Sequence, residues 1–281
     1  MGRIETRFAE VLGKGRTAFI AYITAGDPSL ESTKKLILEF EDQGVDIVEL
    51  GVPFSDPIAD GPVNQEAAMR ALRSNVSIGG ILGMIRDIRQ ESNIPILFFV
   101  YYNSILAYGL GQFVSDAAES GLDGSLVLDL PPEEAAEYKR LMDEKRLATI
   151  FLVSPITPPD RLKLIAGYAS GFIYYVSQMG VTGERKTIAA SIPEKLKEIR
   201  AHATIPVAVG FGVSKPEHVR EIARYADGVI VGSSIVRKIA ELAGKAGFEK
   251  EVAAYVGTLI EPLSFKNKPQ SHKDTKNNSS L

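Results

Sequence analysis

The chain has 281 residues, 45% of them apolar, a formal net charge of −3 and a pI of about 5.8. That length suits one large α/β barrel better than two domains, and the charge leaves no basic stripe for nucleic acid. The lack of cysteine excludes disulfides, thiolate metal sites and a cysteine nucleophile. His202, His218 and His272 have no ligand spacing, so no metal site is expected.

In chain order, Ile4–Leu12 has the pattern of an amphipathic helix. No apolar run follows the basic residues of the N-terminus, and none reaches the roughly 18 residues of a membrane span, so a cytoplasmic protein is expected. Strands are predicted at Ala18–Ile23, Ile47–Leu50, Ile96–Val100, Gly124–Leu128, Ala148–Leu152, Gly171–Val176, Pro206–Val209 and Gly228–Val231. Their apolar residues are near-continuous, as in parallel strands covered on both faces. Helical patterns lie between them at Leu30–Gln43, Ile81–Ile88, Glu133–Arg146, Pro193–Arg200, Pro216–Tyr225 and Ile235–Leu242. Pro193 and Pro216 are each placed at or near a first helical turn. Eight β/α repeats in order predict a closed (β/α)8 TIM barrel over residues 1–262, with an extra N-terminal helix and a short helix after strand 8. The polar stretch 263–281 is expected to be disordered.

Function in such barrels gathers at the carboxyl ends of the strands. Glu49 ends the second strand, on the face that alternation assigns to Val45 and Ile47. A carboxyl there is either a proton donor with a raised pKa or a structural group accepting loop N–H bonds. Asp60 follows in a loop stiffened by Pro53, Pro57 and Pro62, where it is either functional or an Asp-Gly turn residue. Asp56 has a weaker case, and Asp129 reads as structural or as support for a neighbour.

Gly210-Phe211-Gly212 after strand seven and Gly232-Ser233-Ser234 after strand eight form a candidate phosphate site. The second turn opens a helix, whose first N–H groups and positive dipole end favour an anion. The sixth loop, with Gly180, Gly183 and Glu184-Arg185-Lys186, reads as a lid, and Gly183 is placed to close over the same anion.

The run from Glu49 to Pro62, ELGVPFSDPIADGP, resembles the signature of the tryptophan synthase alpha subunit family. The resemblance continues through Thr24–Pro28, Gly180–Gly183, Gly210–Val213 and Gly232-Ser233, and spans about residues 1–262. It implies a lyase that splits indole-3-glycerol phosphate into indole and glyceraldehyde 3-phosphate, with no cofactor in this subunit. Glu49 then matches the acid/base glutamate, and Asp60 the aspartate that binds the indole nitrogen. Tyr101 and Tyr174 match active-site tyrosines, and Thr182 a lid threonine that orders the aspartate. Phe211, Gly212, Gly183, Gly232 and Ser233 match ring- and phosphate-binding positions. Two departures stand out. Tyr22, beside the ring, occupies a position where phenylalanine is common, and Gln178 one where some members have arginine. The resemblance also implies a pyridoxal-phosphate beta subunit as partner in an αββα complex. The Pro53–Pro62 loop and the Asn103–Gly109 segment are the expected contact surfaces. A phosphosugar isomerase on the same barrel would share the rim but would not need the Glu49 and Asp60 pair. A non-catalytic barrel that binds an indole phosphate and acts on a larger partner is the other alternative.

Overall fold

The near-continuous apolar runs fold as parallel strands because each must bury both faces, one against the barrel interior and one against helices. The computed structural model describes residues 1–177, 185–210 and 212–263. Helix α1 (Arg3–Gly13) precedes β1 (Ala18–Thr24), α2 (Leu30–Asp42) and β2 (Ile47–Gly51). Then come α3 (Pro62–Leu72), α4 (Ile78–Ile88), β3 (Ile96–Val100), α5 (Tyr102–Tyr108), α6 (Leu110–Ser120) and β4 (Gly124–Val127). The chain continues through α7 (Ala136–Glu144), β5 (Ala148–Val153), α8 (Pro159–Tyr168), β6 (Ile173–Val176) and α9 (Arg185–His202). It goes on with β7 (Val207–Gly210), α10 (Pro216–Ile222), β8 (Gly228–Val231), α11 (Ser233–Leu242) and α12 (Phe248–Ile260).

All eight strands pair in sequence order, and β8 returns to β1, closing the barrel predicted from the repeats. Alternation divides the strands between two apolar layers. Ile20, Ile47, Leu97, Leu126, Ile150, Ala208 and Ile230 fill the interior. Phe19, Val48, Phe98 and Val209 face outward against Leu36, Ile37 and Phe40 of α2 and their neighbours on other helices. Val45 belongs to this outer layer. The expectation that it shares a face with Glu49 fails because it precedes the first strand residue, Ile47, so strand alternation does not reach it.

The N-terminal helix has a structural task. Its apolar stripe, Ile4, Phe8 and Val11, joins the interior cluster and plugs the barrel at the amino ends of the strands. Phe8 packs on Phe172 with ring centroids 5.6 Å apart. Buried carboxylates tie down the same end. Asp46 pairs with Arg16 and accepts the Phe19 N–H, while Asp123 accepts from Arg3, Arg89 and the Ile96 N–H.

Strand boundaries match the predicted ones to within two residues. Two helices differ. The double proline at 131–132 leads into a turn, so α7 starts at Ala136 rather than Glu133. Helix α9 begins at Arg185, which leaves Pro193 inside the helix instead of in its first turn. A proline costs one internal hydrogen bond there, and the sequence pattern does not distinguish an interrupted helix from a new one. Residues 264–281, expected to be disordered, lie outside the described residues.

Removing the plug should cost stability without altering the carboxyl-end rim. Phe8→Ala is expected to lower unfolding free energy by about 3–5 kcal/mol, measured by urea titration.

Candidate active site

Strand β2 carries Glu49 into the barrel interior, in register with Tyr22 of β1 and Leu97 of β3. The side chain is 1% exposed, and neither carboxylate oxygen has a hydrogen-bond partner among the described residues. An ionised carboxylate in that setting would lose its hydration without compensation. Burial, and secondarily the negative charge of Asp60, push the Glu49 pKa up to about 8. The carboxyl is therefore protonated at neutral pH. Among the described residues no loop N–H donates to Glu49, which favours the proton-donor reading over the structural one.

Asp60 is half-buried in the loop between β2 and α3. Its Oδ2 accepts the Tyr101 hydroxyl at 2.9 Å, and its Oδ1 accepts Asn64 Nδ2 at 3.5 Å. Partial burial raises its pKa, and the hydrogen bonds from Tyr101 and Asn64 oppose that rise. The environments thus differ: one acid has no hydrogen bond at all, and the other is held by two donors. Such a difference separates the roles of paired carboxyls.

The loop is held by more than its prolines. Gln65 Nε2 donates to the Asp60 carbonyl at 2.8 Å, the Ala59 N–H donates to the Tyr101 hydroxyl at 2.9 Å, and Phe54 stacks on Tyr101 with centroids 5.0 Å apart. The far end of α3 is fixed by a bidentate ion pair from Arg70 to the buried Asp27, at 2.8 and 2.7 Å. Sequence reasoning passed over Gln65, Asn64 and the Arg70–Asp27 pair. The only signal for the pair was an acid and a base on successive β/α units, and nothing in a linear sequence matches them to each other.

Tyr22 and Tyr174 occupy the interior beside Glu49. Strand pairing makes room for them by placing glycine at the neighbouring inward positions. A β-carbon on Gly51 would lie 2.8 Å from Tyr22 Cζ, and one on Gly210 would lie 2.6 Å from Tyr174 Oη. Tyr22 packs edge-on to Phe99 with centroids 5.1 Å apart. Burial, then the charge of Asp60, hold the Tyr22 phenol neutral, and burial, then Glu49, do the same for Tyr174. Tyr22 carries the hydroxyl that distinguishes it from phenylalanine toward Gly51. The Thr24 hydroxyl lies beside it without reaching hydrogen-bond geometry.

On the other side of β1 from Glu49, Gly212 has φ +73°, and Gly232, which adjoins Tyr22, caps α11, which starts at Ser233. The first N–H groups of that helix have no intrahelical acceptor. Ser234 Oγ donates to the Val213 carbonyl at 3.3 Å, binding the turn after β8 to the turn after β7. The Ser233 side chain is exposed. Thr182, Gly183, Gln178 and Phe211, with the lid loop of residues 178–184, lie outside the described residues. Asp129 accepts the Tyr102 N–H at 2.6 Å and so caps α5, in agreement with the structural reading. Asp56 is exposed and bonded to Ser55. Among the described residues, no group of three or more His, Asp or Glu side chains is placed to hold a metal ion. No described helix is long and apolar enough to cross a membrane.

A closed β/α barrel whose mouth holds a protonated acid beside a second, ordered carboxyl is the architecture of an acid–base barrel enzyme. Comparison with known proteins narrows that class. The family profile described as "Tryptophan synthase alpha chain" matches residues 8–263. The chain is 46% identical over 263 residues to the tryptophan synthase alpha chain of Geotalea daltonii, covering 94% of this chain and 98% of the relative. It is also 46% identical over 263 residues to that of Geobacter sulfurreducens, covering 94% and 99%. The crystal structure of tryptophan synthase subunit alpha from Legionella pneumophila superposes with a TM-score of 0.87 at 34% identity, covering 94% of this chain and 99% of that one. The chain belongs to the tryptophan synthase alpha chain family and is a carbon–carbon lyase of tryptophan biosynthesis.

The state of Glu49 is testable without substrate. Its folded pKa lies above the unfolded value, so the carboxyl costs no stability below about pH 4.5. It costs progressively more as pH rises toward 8, at roughly 1.4 kcal/mol per unit. Glu49→Gln should therefore be more stable than the wild type. The gap is expected to widen from pH 5 to pH 8 and then level off, as followed by denaturant midpoints across that range.

Proposed function

We propose that Glu49 and Asp60 carry the retro-aldol cleavage of indole-3-glycerol phosphate to indole and D-glyceraldehyde 3-phosphate. The observation that carries this is the buried Glu49 at the mouth of the barrel, with no hydrogen-bond partner among the described residues, where burial raises its pKa. Breaking a bond from the side chain to an aromatic carbon requires that carbon to be protonated first, so that the ring can accept the bonding electrons. Glu49 gives its proton to C3 of the indole, leaving positive charge at the ring nitrogen. Asp60, oriented by Tyr101, stabilises that charge. The Glu49 carboxylate then takes the proton of the glyceryl hydroxyl. The C–C bond breaks, its electrons restore the aromatic ring, and the hydroxyl carbon leaves as the aldehyde. One carboxyl thus serves as acid and then as base, and the desolvation that raises its pKa suits it to both steps.

The substrate phosphate is assigned to Gly212, Gly232 and Ser233, with Gly183 from the lid. The glycine turns and the α11 terminus support that assignment. Tyr22, Tyr101 and Tyr174 are assigned to ring binding, together with Phe211 and Thr182 by the family resemblance. Anchoring the phosphate far from the reacting carbon supplies binding energy that orients the ring. No cofactor is assigned to this subunit. The partner is a beta subunit carrying pyridoxal phosphate in an αββα assembly. Ile58, 89% exposed in the Pro53–Pro62 loop, and Leu106, 52% exposed in the Asn103–Gly109 segment, support those two segments as the docking surface.

Purified protein is expected to release indole from indole-3-glycerol phosphate. Glu49→Gln should lower kcat by a factor of roughly 10² to 10⁴, both alone and with a beta subunit. Wild-type kcat/KM should fall above about pH 8, as the free enzyme loses the Glu49 proton. Indole release by Glu49→Gln at the wild-type rate would remove the assigned acid.

A further inference from the structure

Among the described residues, the buried side-chain polar atoms without a hydrogen-bond partner belong to Thr24, Glu49 and Asn64. They sit at the ends of β1 and β2 and the start of α3, around one end of the barrel. Buried polar atoms are rarely left unpaired, because each forfeits its hydration. An orphan acceptor beside a catalytic pair therefore points to a bound group that completes it. Glu49 already has its role. Asn64 has none in the proposed reaction, and the sequence did not single it out.

The Asn64 geometry is specific. It is the third residue of α3, after the cap Gly61 and Pro62. Side chains in a helix lean toward its N-terminus, which directs this amide back over Asp60. Its Nδ2 donates to Asp60 Oδ1 at 3.5 Å, and its Oδ1 has no donor. The reverse orientation would set the amide oxygen against the Asp60 carboxylate, so the electrostatics fix which atom faces away.

We infer that Asn64 is a substrate-contacting residue whose amide oxygen accepts a hydrogen bond from the ring N–H beside Asp60. One arm of the amide steadies the carboxylate that faces the developing charge. The other arm gives the ring nitrogen a second acceptor and so selects a ring that carries an N–H. This rests on the proposed placement of the indole ring against Asp60.

The test uses two non-cleavable ligands, a 3-alkylindole phosphate and its benzothiophene counterpart, in which sulfur replaces the N–H. Binding of both is measured by calorimetry to the wild type, Asn64→Leu and Asn64→Ser, and to Asp60→Asn with and without Asn64→Leu. The wild type should prefer the indole. Leu and Ser should cut that preference about three- to tenfold, the worth of one hydrogen bond, while leaving benzothiophene affinity nearly unchanged. In the Asp60→Asn background Asn64→Leu should still lower the preference, because the amide oxygen meets the ring N–H directly. An unchanged preference in both Leu and Ser overturns the inference. So does the absence of any effect of Asn64→Leu in the Asp60→Asn background, since Asn64 would then act only through Asp60. A wild type that binds neither phosphate would instead overturn the reading of the site itself, a result distinct from either.

Discussion

The organising constraint is the desolvation of one carboxyl. Glu49 sits where the barrel interior would otherwise hold another aliphatic side chain, and no group among the described residues hydrogen-bonds to it. That arrangement is costly to folding once the unfolded chain would ionise, and the cost is what keeps a proton available at neutral pH. The rest of the mouth is arranged around it. Tyr22 and Tyr174 seal its surroundings as neutral phenols, and Gly51 and Gly210 leave the volume those rings need.

Asp60 is the counterpart, and it is held rather than desolvated. Tyr101, Asn64 and Gln65 converge on one loop residue, and the Arg70–Asp27 pair anchors the helix that carries two of the three. Its negative charge in turn contributes to the raised pKa of Glu49. The two carboxyls therefore act as one device. Weakening the hydrogen bonds to Asp60 would change the setting of Glu49 as well as that of Asp60.

Beside this pair, across β1, the turns after β7 and β8 are joined through Ser234 and Val213. The phosphate site proposed there would let a phosphate tail act as a handle for the ring. The plug of Ile4, Phe8 and Val11 at the other end lets the strand carboxyl ends specialise, because the interior is sealed without them. The divided labour, stability at one end and chemistry at the other, is the general logic of the β/α barrel.

The sequence by itself determined the eight strands, their order and the helix between most of them, since these follow from local apolar periodicity and from proline and glycine positions. It also determined which residues fall at strand ends, and so brought out Glu49, Asp60 and the two glycine turns. Tertiary structure alone decided what those residues experience. Glu49 could have been capped by loop N–H groups, and only the packed interior shows both oxygens bare. Arg70 is matched to Asp27, 43 residues away, only by the closure of the barrel, and the local bonds of Asn64 and Gln65 to Asp60 lie on a helix that the sequence pattern does not bring out. Desolvation and long-range pairing depend on what surrounds a group in three dimensions, and that is the part of the physics a linear pattern does not carry.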